Sequence, residues 1–131
     1  MTTSSAKPTI VLADDHRPML EELTRLLKRE FKIVAAVTDG ALAVERVADL
    51  KPDAVLLDIH MPVMGGIEVA QQLRRSGSSV KIIFLTIETD SEYVRLATTL
   101  GASYVIKSRL RRALLIAIKE ALAGRLFVSS R

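Results

Sequence analysis

The chain has 131 residues, 49% of them hydrophobic, with no cysteine and a formal net charge of +4. That length suits one domain with a real core, and the missing cysteines exclude a disulfide framework or thiolate metal site and fit a reducing cytoplasm. No apolar run approaches the ~18 residues a bilayer span needs, and with 4% aromatic residues and scattered basic charge the chain lacks the makings of a direct nucleic-acid surface.

Residues 1–8 are small and polar and read as a flexible segment, neither signal peptide nor anchor. Apolar runs then recur at residues 9–13, 33–37, 54–57, 81–85 and 104–106. None alternates strictly, which suits strands buried on both faces of a parallel sheet.

Helix punctuation fills the intervals. The first helix is expected to open at Pro18, with Glu21 and Glu22 in its first turn and Lys28 and Arg29 in its last. Leu20, Leu23, Leu27 and Phe31 fall on its apolar face. The second follows Asp39-Gly40 and stops near Leu50, ahead of Lys51-Pro52. The third runs from about Gly66 to Arg75 and ends at Gly77. Thr89 and Glu92 have capping-box spacing and open the fourth, which ends near Leu100-Gly101. Ser108 caps the fifth, which ends near Gly124. Five alternations of strand and helix predict an α/β doubly wound sheet with right-handed crossovers. The expected divisions are residues 9–124 as the domain and 125–131 as a tail or the start of a linker.

In open sheets of this kind ligands bind beyond the carboxyl ends of the strands. Asp14 and Asp15 follow the first strand, Asp58 the third, Thr86 the fourth and Lys107 the fifth. Three carboxylates brought together repel, and Lys107 offsets only one of them. A hard divalent cation offsets the rest, and Mg²⁺ takes such oxygen ligands together with water and phosphate oxygens. An aspartate carboxylate is itself a nucleophile toward phosphorus. The transferred group then needs charge stabilisation, which Mg²⁺, Lys107 and the Thr86 hydroxyl are suited to give.

These residues, with the stretch Leu57-Asp58-Ile59-His60-Met61-Pro62-Val63-Met64-Gly65-Gly66, resemble the receiver domains of two-component response regulators, from about Ile10 to Gly124. The resemblance implies a flavodoxin-like fold with strand order 2-1-3-4-5 and five helices. It implies phosphorylation of Asp58 by a sensor histidine kinase or phosphotransfer protein. Mg²⁺ would be held by Asp15, Asp58 and the His60 carbonyl, with Asp14 acting mainly through water. Thr86 and Lys107 would meet the phosphoryl oxygens. Tyr104 matches the family's switch aromatic, which turns inward as Thr86 moves toward the phosphoryl group. The surface of the fourth helix, fifth strand and fifth helix would then change. Residues 121–129 are similar to the end of receivers that precede a LuxR-type helix-turn-helix domain, which implies transcriptional output from a cytoplasmic protein.

Four positions stand out against the usual pattern. Ile87 replaces a small residue and either narrows access to Asp58 or packs sideways. His60 and Glu88 flank the expected pocket mouth and read either as a pH-sensitive pair or as solvated side chains. Gly65 stands where Asp or Asn is common and suggests extra backbone freedom. On the fifth helix Leu110, Leu114, Ala117 and Ala121 share a face that Leu115, Ile118 and Leu122 extend, with Ile116 nearly opposite. That arc is either core packing or a partner or homodimer surface. Two other functions compete. A receiver-like module that is never phosphorylated would not need all five site residues. A phosphatase of the haloacid-dehalogenase kind places its nucleophile after the first strand and its acidic pair last, the reverse of the order here. The domain is therefore read as a switch, not as an enzyme.

Overall fold

A computed structural model describes residues 6–87 and 91–128, leaving aside the side chains of residues 109–111. The elements in chain order are β1 Thr9–Ala13, α1 Arg17–Leu27, β2 Lys32–Val37, α2 Gly40–Leu50, β3 Ala54–Asp58, α3 Gly66–Arg75, β4 Lys81–Thr86, α4 Ser91–Thr99, β5 Ala102–Ile106, a 3₁₀ turn Lys107–Arg109 and α5 Leu110–Leu122. The sheet has the order β2-β1-β3-β4-β5 and every pair is parallel, as expected.

Each strand feeds two cores because successive side chains point to opposite faces. Val11, Val55, Leu57, Ile82, Phe84 and Tyr104 meet α2, α3 and α4 on one face. Ile10, Leu12, Leu56, Ile83, Leu85 and Val105 meet α1 and α5 on the other. The central strand β3 is buried at every position, whereas edge strand β2 is only partly covered, which explains its weaker apolar run.

Several helix ends behave as the sequence indicates. Asp39 caps α2 by accepting the Leu42 amide at 2.9 Å. Gly77 (φ +85) closes α3 in a Schellman turn, with Gly77 N–H on Arg74 O and Ser78 N–H on Leu73 O. Three expectations need correction. α1 begins at Arg17, so Pro18 is its second residue and Glu21 and Glu22 lie beyond the first turn. α1 also ends at Leu27, which leaves Lys28 as its cap, Arg29 outside it, and Phe31 buried in the turn beyond. Ser108 lies inside a 3₁₀ turn, Lys107–Arg109, and α5 starts at Leu110, so the residue that precedes the helix is Arg109. The capping-box residue Thr89, and Glu88, lie outside the described residues.

Gly65 does not use glycine's freedom, since its φ is −73 and a Glu68 carboxylate oxygen accepts its amide at 3.0 Å. The unusual backbone belongs to Val63, at φ 69, inside a three-residue turn closed by Met64 N–H on Pro62 O at 2.7 Å. A β-branched residue there is strained. Gly66 is required for a different reason: a Cβ on it would overlap the Asp58 carbonyl oxygen, so α3 starts directly against the end of β3. On α5, Leu114, Ala117, Ile118 and Ala121 are buried and Leu115 and Leu122 partly so, which assigns most of the arc to the core; Ile116 is exposed.

Candidate functional site

Because β1, β3, β4 and β5 lie side by side, their carboxyl ends form one edge. Asp14 and Asp15 continue β1, Asp58 ends β3, Thr86 ends β4, and Lys107 follows β5. Carboxylate oxygens of Asp14, Asp15 and Asp58 lie within 4.8 Å of one another. Asp14 and Asp58 are buried at 1% and 8% exposure, while Asp15 faces solvent.

Lys107 reaches into this cluster from the side. Its Nζ donates to Asp14 Oδ2 at 2.8 Å and to Asp58 Oδ2 at 3.3 Å. The His16 amide donates to Asp14 Oδ1 at 2.9 Å, and the His60 amide to Asp58 Oδ1 at 3.4 Å. Asp14 is thus fully engaged, whereas both contacts of Asp58 are long. Burial pushes the Asp58 carboxyl above its ordinary 3.8, and the charge of Asp14 adds to this; Lys107 and the His60 amide oppose the rise without reversing it. For Lys107, burial works to lower the ammonium's value, but the hydrogen bond to Asp14 and the charges of Asp14 and Asp58 hold it above 10.5.

Three carboxylates against one ammonium leave surplus negative charge in a half-dry site. The donors are hard oxygens, close enough to share one small divalent cation, so the residues present fit Mg²⁺.

Thr86 and Tyr104 are both fully buried. The Tyr104 ring lies in the core layer beside α4 and is already inward. Ile87 is 77% exposed and does not pack into the core. His60 is exposed and meets Tyr93 edge-on, with ring centroids 5.8 Å apart. A shallow hollow next to the cluster is lined in part by Asp15, His60, Met61, Pro62 and Tyr93. Sequence reasoning missed Tyr93, which has no local signal because it lies on α4 and its partner His60 in the loop after β3. It also missed Val63, whose backbone opposes its own propensity.

Residues 10–119 match the family described as response regulator receiver domain. The transcriptional regulatory protein DegU of Brevibacillus brevis is 37% identical over 125 residues, covering 93% of this chain and 53% of DegU. The DNA-binding transcriptional activator EvgA of Escherichia coli is 34% identical over 116 residues, covering 87% of this chain and 57% of EvgA. The chain therefore spans about half the length of these relatives. A crystal structure of a LuxR-family two-component response regulator from Aurantimonas sp. SI85-9A1 superposes with a TM-score of 0.87 at 33% identity, covering 93% of this chain and 89% of that one. A LuxR-family DNA-binding response regulator from Staphylococcus aureus gives 0.82 at 28% identity, covering 88% and 98%. With the match spanning nearly all of the sheet and the helices that flank it, the chain belongs to the response regulator receiver domain family.

Proposed function

We propose that the chain is a phosphorylation-dependent switch whose acceptor is Asp58. The observation that carries this is the environment of its carboxylate. It is buried, crowded by Asp14, and held only by long contacts from Lys107 and the His60 amide. An Asp58 oxygen attacks the phosphorus of a phosphohistidine on a sensor kinase or phosphotransfer protein. A P–O bond forms as the P–N bond breaks, and the imidazole leaves with the electron pair. Lys107 stays near Asp58 and turns its ammonium to a phosphoryl oxygen, and the Thr86 hydroxyl donates to another. Asp15, Asp58 and the His60 carbonyl would hold Mg²⁺, with Asp14 acting through water. Bound there, Mg²⁺ supplies charge neutralisation for the incoming phosphoryl group.

Tyr104 and the α4–β5–α5 surface then carry the signal. The output is transcription through a DNA-binding domain elsewhere in a cytoplasmic protein, with homodimerisation as one route. This chain itself does not contact nucleic acid. Among the described residues no helix is long and apolar enough to cross a membrane.

Intact mass after incubation with acetyl phosphate and Mg²⁺ tests the reading. Wild type gains one phosphoryl group and Asp58→Ala gains none; chelation of Mg²⁺ abolishes the gain. Wild type that takes up no phosphate would make the domain an unphosphorylated interaction module. Sustained turnover of a small phosphate ester would make it a phosphatase.

A further inference from the structure

The segment after α5 is built into the sheet. Gly124 (φ +86) ends the helix in a Schellman turn, with Gly124 N–H on Ala121 O at 2.9 Å and Arg125 N–H on Glu120 O at 2.8 Å. The Arg125 guanidinium meets both Glu120 carboxylate oxygens at 2.8 and 2.9 Å on the exposed side of this turn. The chain then runs along the open edge of β5. Tyr104 N–H donates to Phe127 O at 2.8 Å, Phe127 N–H donates to the buried Ser103 Oγ at 3.0 Å, and Val128 bridges Tyr104 in parallel. Phe127 packs partly against the α1–α5 core layer.

Edge strands carry unpaired amides, and this segment covers β5 at the one residue whose ring the switch requires. Tyr104 faces the α4 layer and Ser103, its neighbour, the opposite face. The clip therefore grips β5 from the side opposite the ring and through its main chain. The hydrogen bond from the Tyr104 amide to Phe127 O falls on the same backbone that sets the direction of the ring.

We propose that residues 126–128 are a releasable clip that holds Tyr104 inward, so that docking of this segment and the position of the ring are thermodynamically coupled. The assignment of Tyr104 as the switch rests on the function proposed above. Coupling of this kind is reciprocal. Any load on the chain beyond Val128 loosens the ring, and any change that expels the ring frees the segment. Ser103 is then a positioning residue, acting through the Phe127 amide.

The chain has two tyrosines, so ¹³C labelling of their rings gives two sets of signals, and Tyr93→Phe assigns them. Ring signals and the exchange rate of the Tyr104 amide are compared in wild type, Ser103→Ala and Phe127→Pro. Phe127→Pro removes the donor to Ser103 together with a partly buried ring, whereas Ser103→Ala leaves that ring in place, and the amide exchange of β1 and β3 reports whether each variant keeps its core. The clip predicts that both variants speed exchange of the Tyr104 amide by tenfold or more and move the Tyr104 ring signals toward solvent-exposed values, with no phosphate donor added. Faster amide exchange with unmoved ring signals would overturn the coupling. Unchanged exchange in both variants would overturn the clip itself. An acetyl phosphate arm separates this from the parent reading: the variants take up phosphate about fivefold more slowly, whereas a wild type that takes up none fails the parent reading and leaves the ring measurement to decide the clip.

Discussion

Two cations are drawn out of bulk solvent at opposite ends of β4 and β5, by opposite means. At the carboxyl end, Lys107 lies between two carboxylates, and its ammonium is held above its ordinary value. At the amino end, Arg74 of α3 donates to the carbonyl oxygens of Leu100 (2.9 Å), Ser78 (3.1 Å), Val80 (2.8 Å) and Gly101 (3.4 Å). No carboxylate meets it in those bonds, and burial lowers its value. Arg74 is a fastener that ties the end of α3 to the starts of β4 and β5, with four of its five N–H donors engaged. Lys107 is outnumbered by the charges around it, and the proposed function uses that surplus to hold a cation beside a phosphoryl group. One end of the sheet is tied by a cation on neutral carbonyls; the other carries unbalanced charge.

Removing each cation breaks the comparison most sharply. Lys107→Met leaves Asp14 buried beside Asp58 with no counter-charge, and should cost on the order of 3 kcal/mol at neutral pH. Much of that loss should return as pH falls through the raised value of Asp58, because protonation removes the repulsion. Urea denaturation at neutral and acidic pH checks this, and a loss that ignores pH would reduce Lys107 to packing. Arg74→Met strips donors from at least three carbonyls and should cost about 2–3 kcal/mol. Here the loss should be flat between about pH 5 and 8, where no carboxylate partner titrates, and folded protein should still take up phosphate.

A subtler test neutralises the unbalanced end. Asp58 has a folded value above 3.8, so its contribution to stability is full below that pH and is lost as pH rises through the folded value. Asp58→Asn should therefore raise the urea midpoint at neutral pH, and the advantage should vanish under acid. Mg²⁺ should stabilise wild type more than the variant. The smallest effect belongs to Val63→Gly. The side chain is 81% exposed, so little packing is lost and relief of the φ 69 strain should gain about 0.5–1 kcal/mol.

Much of the unbalanced end was legible in the sequence, and little of the fastener. Asp14, Asp15, Asp58, Thr86 and Lys107 each sit where an apolar run stops, so the sheet's topology alone gathers them. Asp39 announced its helix for the same local reason. Arg74 gave no signal because its partners are backbone carbonyls, which every residue carries. Pro18 pointed to a helix start yet misplaced it by one residue, since a proline is accepted at either of the first two positions. Ser108 suggested a helix start that the 3₁₀ turn moves on to Leu110. The pairing of Phe127 with β5 was hidden because it uses a main-chain amide and a small buried serine, which read as unremarkable in a strand. The Asp14–Lys107 contact was also invisible as a pair: the sequence put both at the edge without saying which carboxylate the ammonium favours.

The claim that Asp58, and neither neighbouring aspartate, is the carboxylate left reactive is tested most directly by mapping the modified residue. The protein is treated with acetyl phosphate and Mg²⁺, then with borohydride, which reduces a phosphorylated aspartate to homoserine, and its peptides are sequenced by mass. The geometry predicts homoserine at position 58 and aspartate at positions 14 and 15. Homoserine at 14 or 15, or at none of the three, would contradict it.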